Sequence, residues 1–299
     1  MMNDNDFRES RGTLDQLFKE VTEEEGTLSG GKKLGKAGKA VQSLKETRID
    51  LGSPKNNLIQ LTEKLFNDIG IEMSPIHREQ MKSQFDFYYM TMAVSLQTAP
   101  GARFSRLESK IVFGPKGENE PIVQTIFPRS EWKPMLDAGV DFSLGLDGNL
   151  EWKTGITESD SVKLPCSVIG KIVNKNEMKA FVAIPGYRYQ LGKTEVSAIG
   201  EGNSECFWRI DKPEILQTQT VQFGVVFKVP KQITSIELSG LVCAEPDFQW
   251  LTANLRDVFE YLSDNLKNIF RLKDNDRVGK DRLPICDSEK WSIDLPACP

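Results

Sequence analysis

The stretch TVQFGVVFKVP, residues 220–230, decides the fold because apolar side chains occupy every second position in it. A β-strand turns successive side chains to opposite faces, so this spacing places five apolar residues on one face: Val221, Phe223, Val225, Phe227 and Val229. The same alternation returns after Pro230, at Ile236, Leu238, Gly240 and Val242. We therefore expect two long strands that follow one another as a meander.

Alternation of the same kind runs through most of residues 85–245. It is clearest in two further runs: Met90, Met92, Val94 and Leu96, and then Leu107, Ile111 and Phe113. In VDFSLGLDGNLEW, the turn residues Asp147-Gly148-Asn149 separate two apolar runs and predict a hairpin. Strands near 121–127, 166–174, 178–184 and 205–210 bring the total to about nine or ten. One polar face per strand is typical of antiparallel sheets, so residues 85–245 are predicted to form an antiparallel β-sandwich or open barrel, and the protein to be mainly β (α+β).

Helices are expected on both sides of this β-domain. Residues 53–84 carry two helix-start signals, Ser53-Pro54 and Ser74-Pro75, and a stop at Gly70, which predicts a helical segment. Residues 246–272 have apolar side chains three or four positions apart, which predicts one long amphipathic helix. The tail 273–299 is charged and Pro-rich, but Trp291, Ile293 and Leu295 indicate that it docks back onto the domain.

The first 52 residues differ from the rest in their charge pattern. Residues 1–25 carry eight acidic and three basic side chains, whereas residues 26–49 carry six basic and one acidic. The segment GTLSGGKKLGKAGKAV contains several glycines, each of which opposes a helix by about 1 kcal/mol relative to alanine. Although Thr13 and Gln16 resemble a capping box, we interpret 1–52 as a flexible, charge-segregated arm that orders on a partner.

Composition excludes several classes of protein. The chain has 299 residues, a net charge of −5, 39% hydrophobic and 27% charged residues, which describes a soluble globular protein rather than a fibrous or disordered one. A strongly basic nucleic-acid binder is not expected. His77 is the only histidine, so any histidine-dependent catalysis must use it, and a site with several histidine ligands is impossible. We interpret His77 as a partly exposed surface residue.

The cysteines and the N-terminus bear on the cellular compartment. Cys166, Cys206, Cys243, Cys286 and Cys298 are dispersed, without a C-x-x-C pair, which is typical of reduced thiols in the cytosol. The N-terminus shows no secretory signal, and no apolar run is long enough to span a bilayer. The sequence therefore predicts a cytoplasmic protein.

Two motifs imitate ligand sites without completing them. The run from Gly26 to Lys33 fits G-x-x-x-x-G-K, but Lys33 stands where a phosphate loop needs Ser or Thr for magnesium. Asp274-Asn275-Asp276 opens like a calcium loop, but Val278 and Ile285 occupy later ligand positions. No G-x-S-x-G elbow occurs. We therefore predict no nucleotide, metal or other cofactor, and no catalytic residues, although a pair of carboxylates acting alone remains open.

The lysines of the arm are the candidate binding residues. Lys32, Lys33, Lys36 and Lys39 form a basic run that an acidic partner, an anionic membrane or, less expectedly, nucleic acid would attract. The alternative is that this run is a solvated linker that folds back on the acidic segment 20–25.

Two stretches resemble a group of uncharacterised bacterial proteins of about 300 residues. They are SLQTAPGARFSRLESKIVF followed by TIFPRSEW, and AIGEGNSECFWRIDKPEILQTQTVQFGVVFKVP. The resemblance covers roughly half the chain, excludes the arm, and rests on structural motifs such as Trp208-Arg209 rather than on catalytic ones. Members of this group look like accessory components of bacterial conflict or defence loci, sometimes beside caspase-like proteases. The resemblance implies a protein partner of that kind.

The sequence thus favours a non-enzymatic protein-interaction module, acting as a partner, target or inhibitor of a protease or effector. A membrane-acting effector, either pore-forming or lipid-binding, is the first alternative, and a carboxylate-dependent hydrolase is the second. We expect limited proteolysis to cut first between about 26 and 52.

Overall fold

The computed structural model describes residues 4–29, 34–68, 75–128, 142–145, 150–152, 181–184, 195–211, 220–271 and 283–296. Its α-helices are α1 (Asp4–Ser29), α2 (Lys36–Glu46), α3 (Glu63–Asp68), α4 (Pro75–Ser83), α5 (Phe248–Leu255) and α6 (Asp264–Arg271), with short 3₁₀ turns at Lys55–Asn57 and Phe259–Tyr261. Its strands are β1 (Arg48–Leu51), β2 (Leu58–Leu61), β3 (Phe85–Gln97), β4 (Phe104–Gly114), β5 (Ile122–Phe127), β6 (Phe142–Gly145), β7 (Leu150–Trp152), β8 (Phe181–Ile184), β9 (Glu195–Ile199), β10 (Glu205–Asp211), β11 (Thr220–Pro230), β12 (Ser235–Pro246) and β13 (Ile285–Asp294).

The strands form antiparallel sheets, as the alternation predicted. Sheet A has the order β1-β3-β11-β5, with β2 also paired to β3, and sheet B has the order β13-β12-β4-β10-β9. A third sheet has the order β7-β6-β8. The prediction of a mainly β protein with antiparallel sheets is confirmed, and the described strands do not close into a barrel.

Strand β11 is the centre of sheet A. It pairs with β3 from Thr220 opposite Ser95 to Pro230 opposite Phe85, and its other edge pairs with β5. Its inward aromatic side chains meet those of sheet B: the Phe223 ring lies 4.8 Å from that of Trp208, and the Phe227 ring lies 4.8 Å from that of Phe113. All four rings are almost fully buried, and burying each one contributes about 1.5–3 kcal/mol.

The meander predicted across Pro230 is wrong. Strand β11 belongs to sheet A, whereas β12 pairs with β4 and β13 in sheet B. The chain turns between them, with the Ile233 N–H donating to the Pro230 carbonyl (3.0 Å), and passes from one sheet to the other. Alternation specifies which face of a strand is buried but not which strand lies beside it.

The hairpin predicted around Asp147-Gly148-Asn149 agrees with the pairing of its flanking strands. Phe142 of β6 lies opposite Trp152 of β7, and Leu144 lies opposite Leu150. The turn residues themselves, and the strand predicted near 166–174, lie outside the described residues.

The helical segment 53–84 is helical only in part. Helix α4 begins at Pro75, as predicted, and α3 covers Glu63–Asp68. Residues Leu58–Leu61 form strand β2 instead, with Leu58 opposite Met90 and Leu61 opposite Phe87 of β3. The leucines of this segment are spaced as in a helix, but its backbone pairs with the edge of the long strand β3, and this pairing outweighs the helical preference.

The long helix predicted over 246–272 is also wrong. The apolar positions were identified correctly, since Leu251, Leu255, Val258, Leu262 and Leu266 are buried. The backbone, however, forms α5, a 3₁₀ turn and α6 in succession, because Leu262 adopts an extended conformation. We call residues 248–271 the helical platform.

The C-terminal tail returns to the domain, as Trp291, Ile293 and Leu295 indicated. Strand β13 pairs with β12 from Ser235 to Ala244, and Ile293 and Leu295 are buried. Cys286 of β13 lies opposite Cys243 of β12 and forms a disulfide with it. The expectation of five reduced thiols is therefore corrected. Cys166 and Cys298 lie outside the described residues, and the cytoplasmic location stays a prediction.

Candidate functional site

The N-terminal segment, interpreted above as a flexible arm, contains two helices and strand β1. Leu14, Leu17 and Val21 of α1 are buried, and so are Val41 and Leu44 of α2. The glycines were expected to prevent a helix over 36–46, but packing of one apolar helix face outweighs their low propensity. We call α1 and α2 together the N-terminal hairpin.

Glu25 of α1 fixes the start of α2. Its carboxylate accepts hydrogen bonds from the backbone N–H groups of Gly35 (2.8 Å), Ala37 (2.9 Å) and Gly38 (3.0 Å). These are groups that a helix leaves without intrahelical partners at its N-terminus, and a negative charge there interacts favourably with the helix dipole. Glu25 is only 8% exposed, so this contact is an internal cap rather than a surface one.

Glycine is required at two positions of this cap. A Cβ atom added to Gly35 or to Gly38 would overlap an oxygen of the Glu25 carboxylate. The glycines that seemed to mark a flexible linker therefore let the backbone approach a buried carboxylate.

The hairpin is attached to the rest of the protein at both ends. The Glu20 carboxylate accepts the backbone N–H of Ser263, at the start of α6 (2.7 Å). Burial alone would raise the pKa of the Glu20 carboxyl, but hydrogen bonds from Ser263 and Gln16 outweigh it, and the pKa lies below its ordinary value. At the end of α2, the Thr47 hydroxyl accepts the Ala99 N–H (3.1 Å).

The structure places two of the four candidate lysines and leaves two undescribed. Lys36 and Lys39 lie on the first turns of α2 and are exposed, whereas Lys32 and Lys33 lie outside the described residues. Within the described part of the chain, Lys36 and Lys39 form no ion pair or side-chain hydrogen bond. Lys45, in the last turn of α2, is instead paired with Asp15 (2.8 Å) and lies over the Phe18 ring.

The segment thus folds back on its acidic neighbour through backbone N–H groups at the start of α2. Glu25 makes this contact, since its oxygens accept N–H groups at the start of α2. Sequence reasoning missed this residue, because Glu23-Glu24-Glu25 gives no sign of which carboxylate turns inward. Lys36 and Lys39, which we call the lysine pair, therefore form a positive surface on α2. The buried Glu25 carboxylate holds the start of this helix in place.

The other residues that the sequence offered for catalysis or ligand binding lie in surroundings typical of structural residues. His77 of α4 is half-buried and meets the Phe87 ring edge-on at 6.1 Å between ring centres. Burial and the neighbouring Glu205 carboxylate raise the pKa of the Cys206 thiol far above its ordinary value, so Cys206 is a poor nucleophile. The residues of the phosphate-loop imitation that are described, up to Ser29, belong to helix α1 and not to a turn after a strand.

Charged residues on the outer face of sheet B pair with each other. Arg106 donates from Nε to Asp211 (2.7 Å) and from Nη1 to Glu245 (3.2 Å). The three side chains are largely buried, with 20%, 23% and 10% of the side chains of Arg106, Asp211 and Glu245 exposed, so the ion pairs belong to the packing of the sheet. Within the described residues, no group of three His, Cys, Asp or Glu side chains is placed to hold a metal ion. The calcium-like run at Asp274 lies outside them.

Comparison with known proteins gives structural neighbours only. No protein-family profile and no curated protein matches the chain. A solved structure described as a pore forming protein is 7% identical, covers 67% of this chain and 78% of its own, and has a TM-score of 0.33. The delta-toxin of Clostridium perfringens is 9% identical, with 83% and 89% covered and a TM-score of 0.30. A collagen-binding domain from a Staphylococcus aureus adhesin is 6% identical, with 55% and 77% covered and a TM-score of 0.21.

These scores are too low to indicate a shared fold, so neither fold nor function is inferred from them. Among the residues that the structure describes, no helix combines the length and the apolarity needed to cross a bilayer.

Proposed function

We propose that the chain is a non-enzymatic protein-interaction module that binds an acidic surface of a partner protein through the lysine pair. The observation that carries this proposal is that Lys36 and Lys39 are exposed and form no ion pair with any residue that the structure describes, on a helix whose first N–H groups donate to the Glu25 carboxylate.

The scaffold supports this role. We propose that sheets A and B form a β-sandwich, with the ring contacts Phe223–Trp208 and Phe227–Phe113 at its centre. The hairpin that carries the lysine pair is attached to this core through Leu17, Val21 and Leu44. A rigid positive surface loses less conformational entropy on binding than a flexible arm does.

The partner is proposed from two considerations. The chain as a whole carries a net charge of −5, so an acidic polypeptide would be attracted by the positive patch locally and not by the charge of the whole protein. The resemblance to accessory components of defence loci suggests a protease or effector as the protein that carries this region.

The test compares two double charge reversals with the same change in net charge. Lys36→Glu/Lys39→Glu alters the lysine pair, and Lys55→Glu/Lys82→Glu alters two exposed lysines on other elements. The probe for an acidic polypeptide is fluorescein-labelled poly-glutamate, and vesicles containing phosphatidylserine are the probe for an anionic membrane. Binding is measured by fluorescence anisotropy and by vesicle sedimentation at physiological ionic strength.

We expect poly-glutamate to bind the unaltered protein and the control variant alike, and to bind Lys36→Glu/Lys39→Glu about tenfold more weakly. The same loss in both variants would show general electrostatic attraction and contradict the proposal. Binding to vesicles without binding to poly-glutamate would instead support a lipid-binding protein.

A further inference from the structure

The disulfide between Cys243 and Cys286 joins the last two strands of sheet B. The two residues are directly opposite in the register of β12 and β13, with Cα atoms 4.1 Å apart. Cys243 is 5% exposed, whereas Cys286 is half-buried, so a small thiol reaches the sulfur of Cys286 more easily. Cys206, the other described cysteine, is buried and forms no disulfide.

The bond closes the segment that contains the helical platform. Cys243 and Cys286 are 43 residues apart in sequence, and α5, the 3₁₀ turn and α6 lie between them. The platform in turn supports the N-terminal hairpin, because α2 packs on α5 and the Ser263 N–H binds Glu20. The disulfide therefore closes the segment on which the N-terminal hairpin packs.

The residue after Cys286 connects the two large sheets. The Asp287 carboxylate of β13 accepts the backbone N–H of Leu51 (3.0 Å) in β1 of sheet A. A change at Cys286 is thus adjacent to a polar link between sheet A and sheet B. Greater mobility at the start of β13 would weaken the hydrogen bond between Leu51 and Asp287. It would also release the ends of the segment that contains the helical platform.

We propose that Cys243 and Cys286 form a thiol–disulfide switch that responds to a dithiol reductant and sets the stability of the helical platform. One thiolate of the dithiol attacks the Cys286 sulfur, the bond between the two cysteines breaks, and Cys243 leaves as a thiolate that takes a proton. The second thiol of the reductant then attacks the mixed disulfide and releases Cys286. The reductant ends as a cyclic disulfide, having supplied two electrons and the two protons now on Cys243 and Cys286.

Reduction removes the constraint on the unfolded chain that the closed loop imposes. For a loop of 43 residues, we expect the Tm to fall by about 5–10 °C when the bond is reduced. The proposal does not depend on the proposed binding function, because its measurements involve no partner.

The first measurement is peptide mapping by mass spectrometry of the full chain, prepared without reductant and alkylated before digestion. We expect a peptide containing Cys243 crosslinked to one containing Cys286. Recovery of both peptides in alkylated form would overturn the proposal.

The second measurement is the Tm with and without dithiothreitol. The unaltered protein and the control Cys206→Ala should both show the decrease, and Cys243→Ser/Cys286→Ser should melt at the lower Tm under both conditions. If Cys206→Ala abolishes the decrease, or if the unaltered protein shows none, the switch is contradicted. The comparison of the unaltered protein in its two redox states needs no variant to fold.

Discussion

At the scale of single residues, the account depends most on Glu25. Its carboxylate is buried, and it is satisfied by three N–H groups that α2 would otherwise expose. A buried carboxylate without such partners would be strongly destabilising, so the burial of Glu25 and the position of α2 depend on each other.

Gly38→Ala tests this arrangement by the sign of its effect. Alanine is the better helix former by about 1 kcal/mol, but its Cβ would overlap Glu25 Oε2 and displace the carboxylate from its donors. We expect Gly38→Ala to destabilise the protein by about 1–3 kcal/mol. In a Glu25→Ala background the added Cβ closely meets only the end of the flexible Leu34 side chain, 2.8 Å from its Cδ2, so the same change should cost much less. Urea denaturation of the four proteins measures this, and equal effects in both backgrounds would contradict the cap.

Glu20 gives a pH-dependent prediction. Its folded-state pKa lies below the ordinary value of 4.5, so the ionised carboxylate stabilises the fold above that pH. The contribution is lost as pH falls through the lowered folded pKa. We expect Glu20→Gln to lower the free energy of unfolding by about 0.5 kcal/mol at pH 7, a value reduced by solvent screening, and to have little effect in acid.

The control for Glu20 is Glu23→Gln on the exposed side of α1. Chemical denaturation at neutral and acidic pH should show the pH dependence in Glu20→Gln only. A loss of stability that is the same at both pH values would mean that the hydrogen bond to Ser263 does not depend on the charge of Glu20.

At the scale of elements, the close approach of the two sheets is set at Gly240 of β12. A Cβ atom there would overlap a methyl group of Leu51 in sheet A and lie 2.9 Å from the Trp291 ring. We expect Gly240→Ala to destabilise the protein by about 1–3 kcal/mol through overpacking. Gly12→Ala, where an added Cβ meets nothing within 4 Å, should be neutral or stabilising. Thermal denaturation that ranks the two variants in the opposite order would contradict this packing.

Elements were predictable from sequence where one local pattern determined them. The alternation in 220–230 identified β11, and the apolar positions of 246–272 identified the buried face of the platform. The break at Leu262 was not predictable, because it is stabilised by Glu20, more than 200 residues away in the chain. Strand β2 was missed for the same reason, since its partner is the edge of β3.

For the candidate site, the sequence predicted the positively charged residues but not their surroundings. The lysines could be identified from the sequence, but their surroundings could not, since Glu25 and Gly38 meet only after α1 and α2 have packed. The disulfide was missed because Cys243 and Cys286 become neighbours through the pairing of β12 with β13. Long-range pairing of this kind leaves no periodic signal in the sequence.

At the scale of the whole molecule, the N-terminal hairpin belongs to the core. Leu17 is fully buried, and its replacement in Leu17→Ala should lower the free energy of unfolding by about 2–5 kcal/mol. Leu28→Ala, at a position in the same helix that is 63% exposed, should change it by less than about 0.5 kcal/mol. If both substitutions are silent in urea denaturation, the hairpin does not contribute to folding.

The same packing determines how the function should be tested. A fragment that starts at residue 50 would lose α1, α2 and half of β1, together with the buried Val21 and Leu44. Its failure to bind a partner would then report on folding as well as on the lysines. Substitutions at Lys36 and Lys39, which are exposed, separate the two effects.

The most direct measurement is backbone hydrogen exchange over residues 35–46 in the intact chain. In the structure the lysine pair lies on a helix fixed to the core, and the Gly35, Ala37 and Gly38 N–H groups donate to Glu25. We predict that amides of this segment exchange orders of magnitude more slowly than in an unfolded chain, and that Glu25→Ala removes the protection of its first turn. Exchange at the unfolded rate in the unaltered protein would contradict the account and restore the flexible arm.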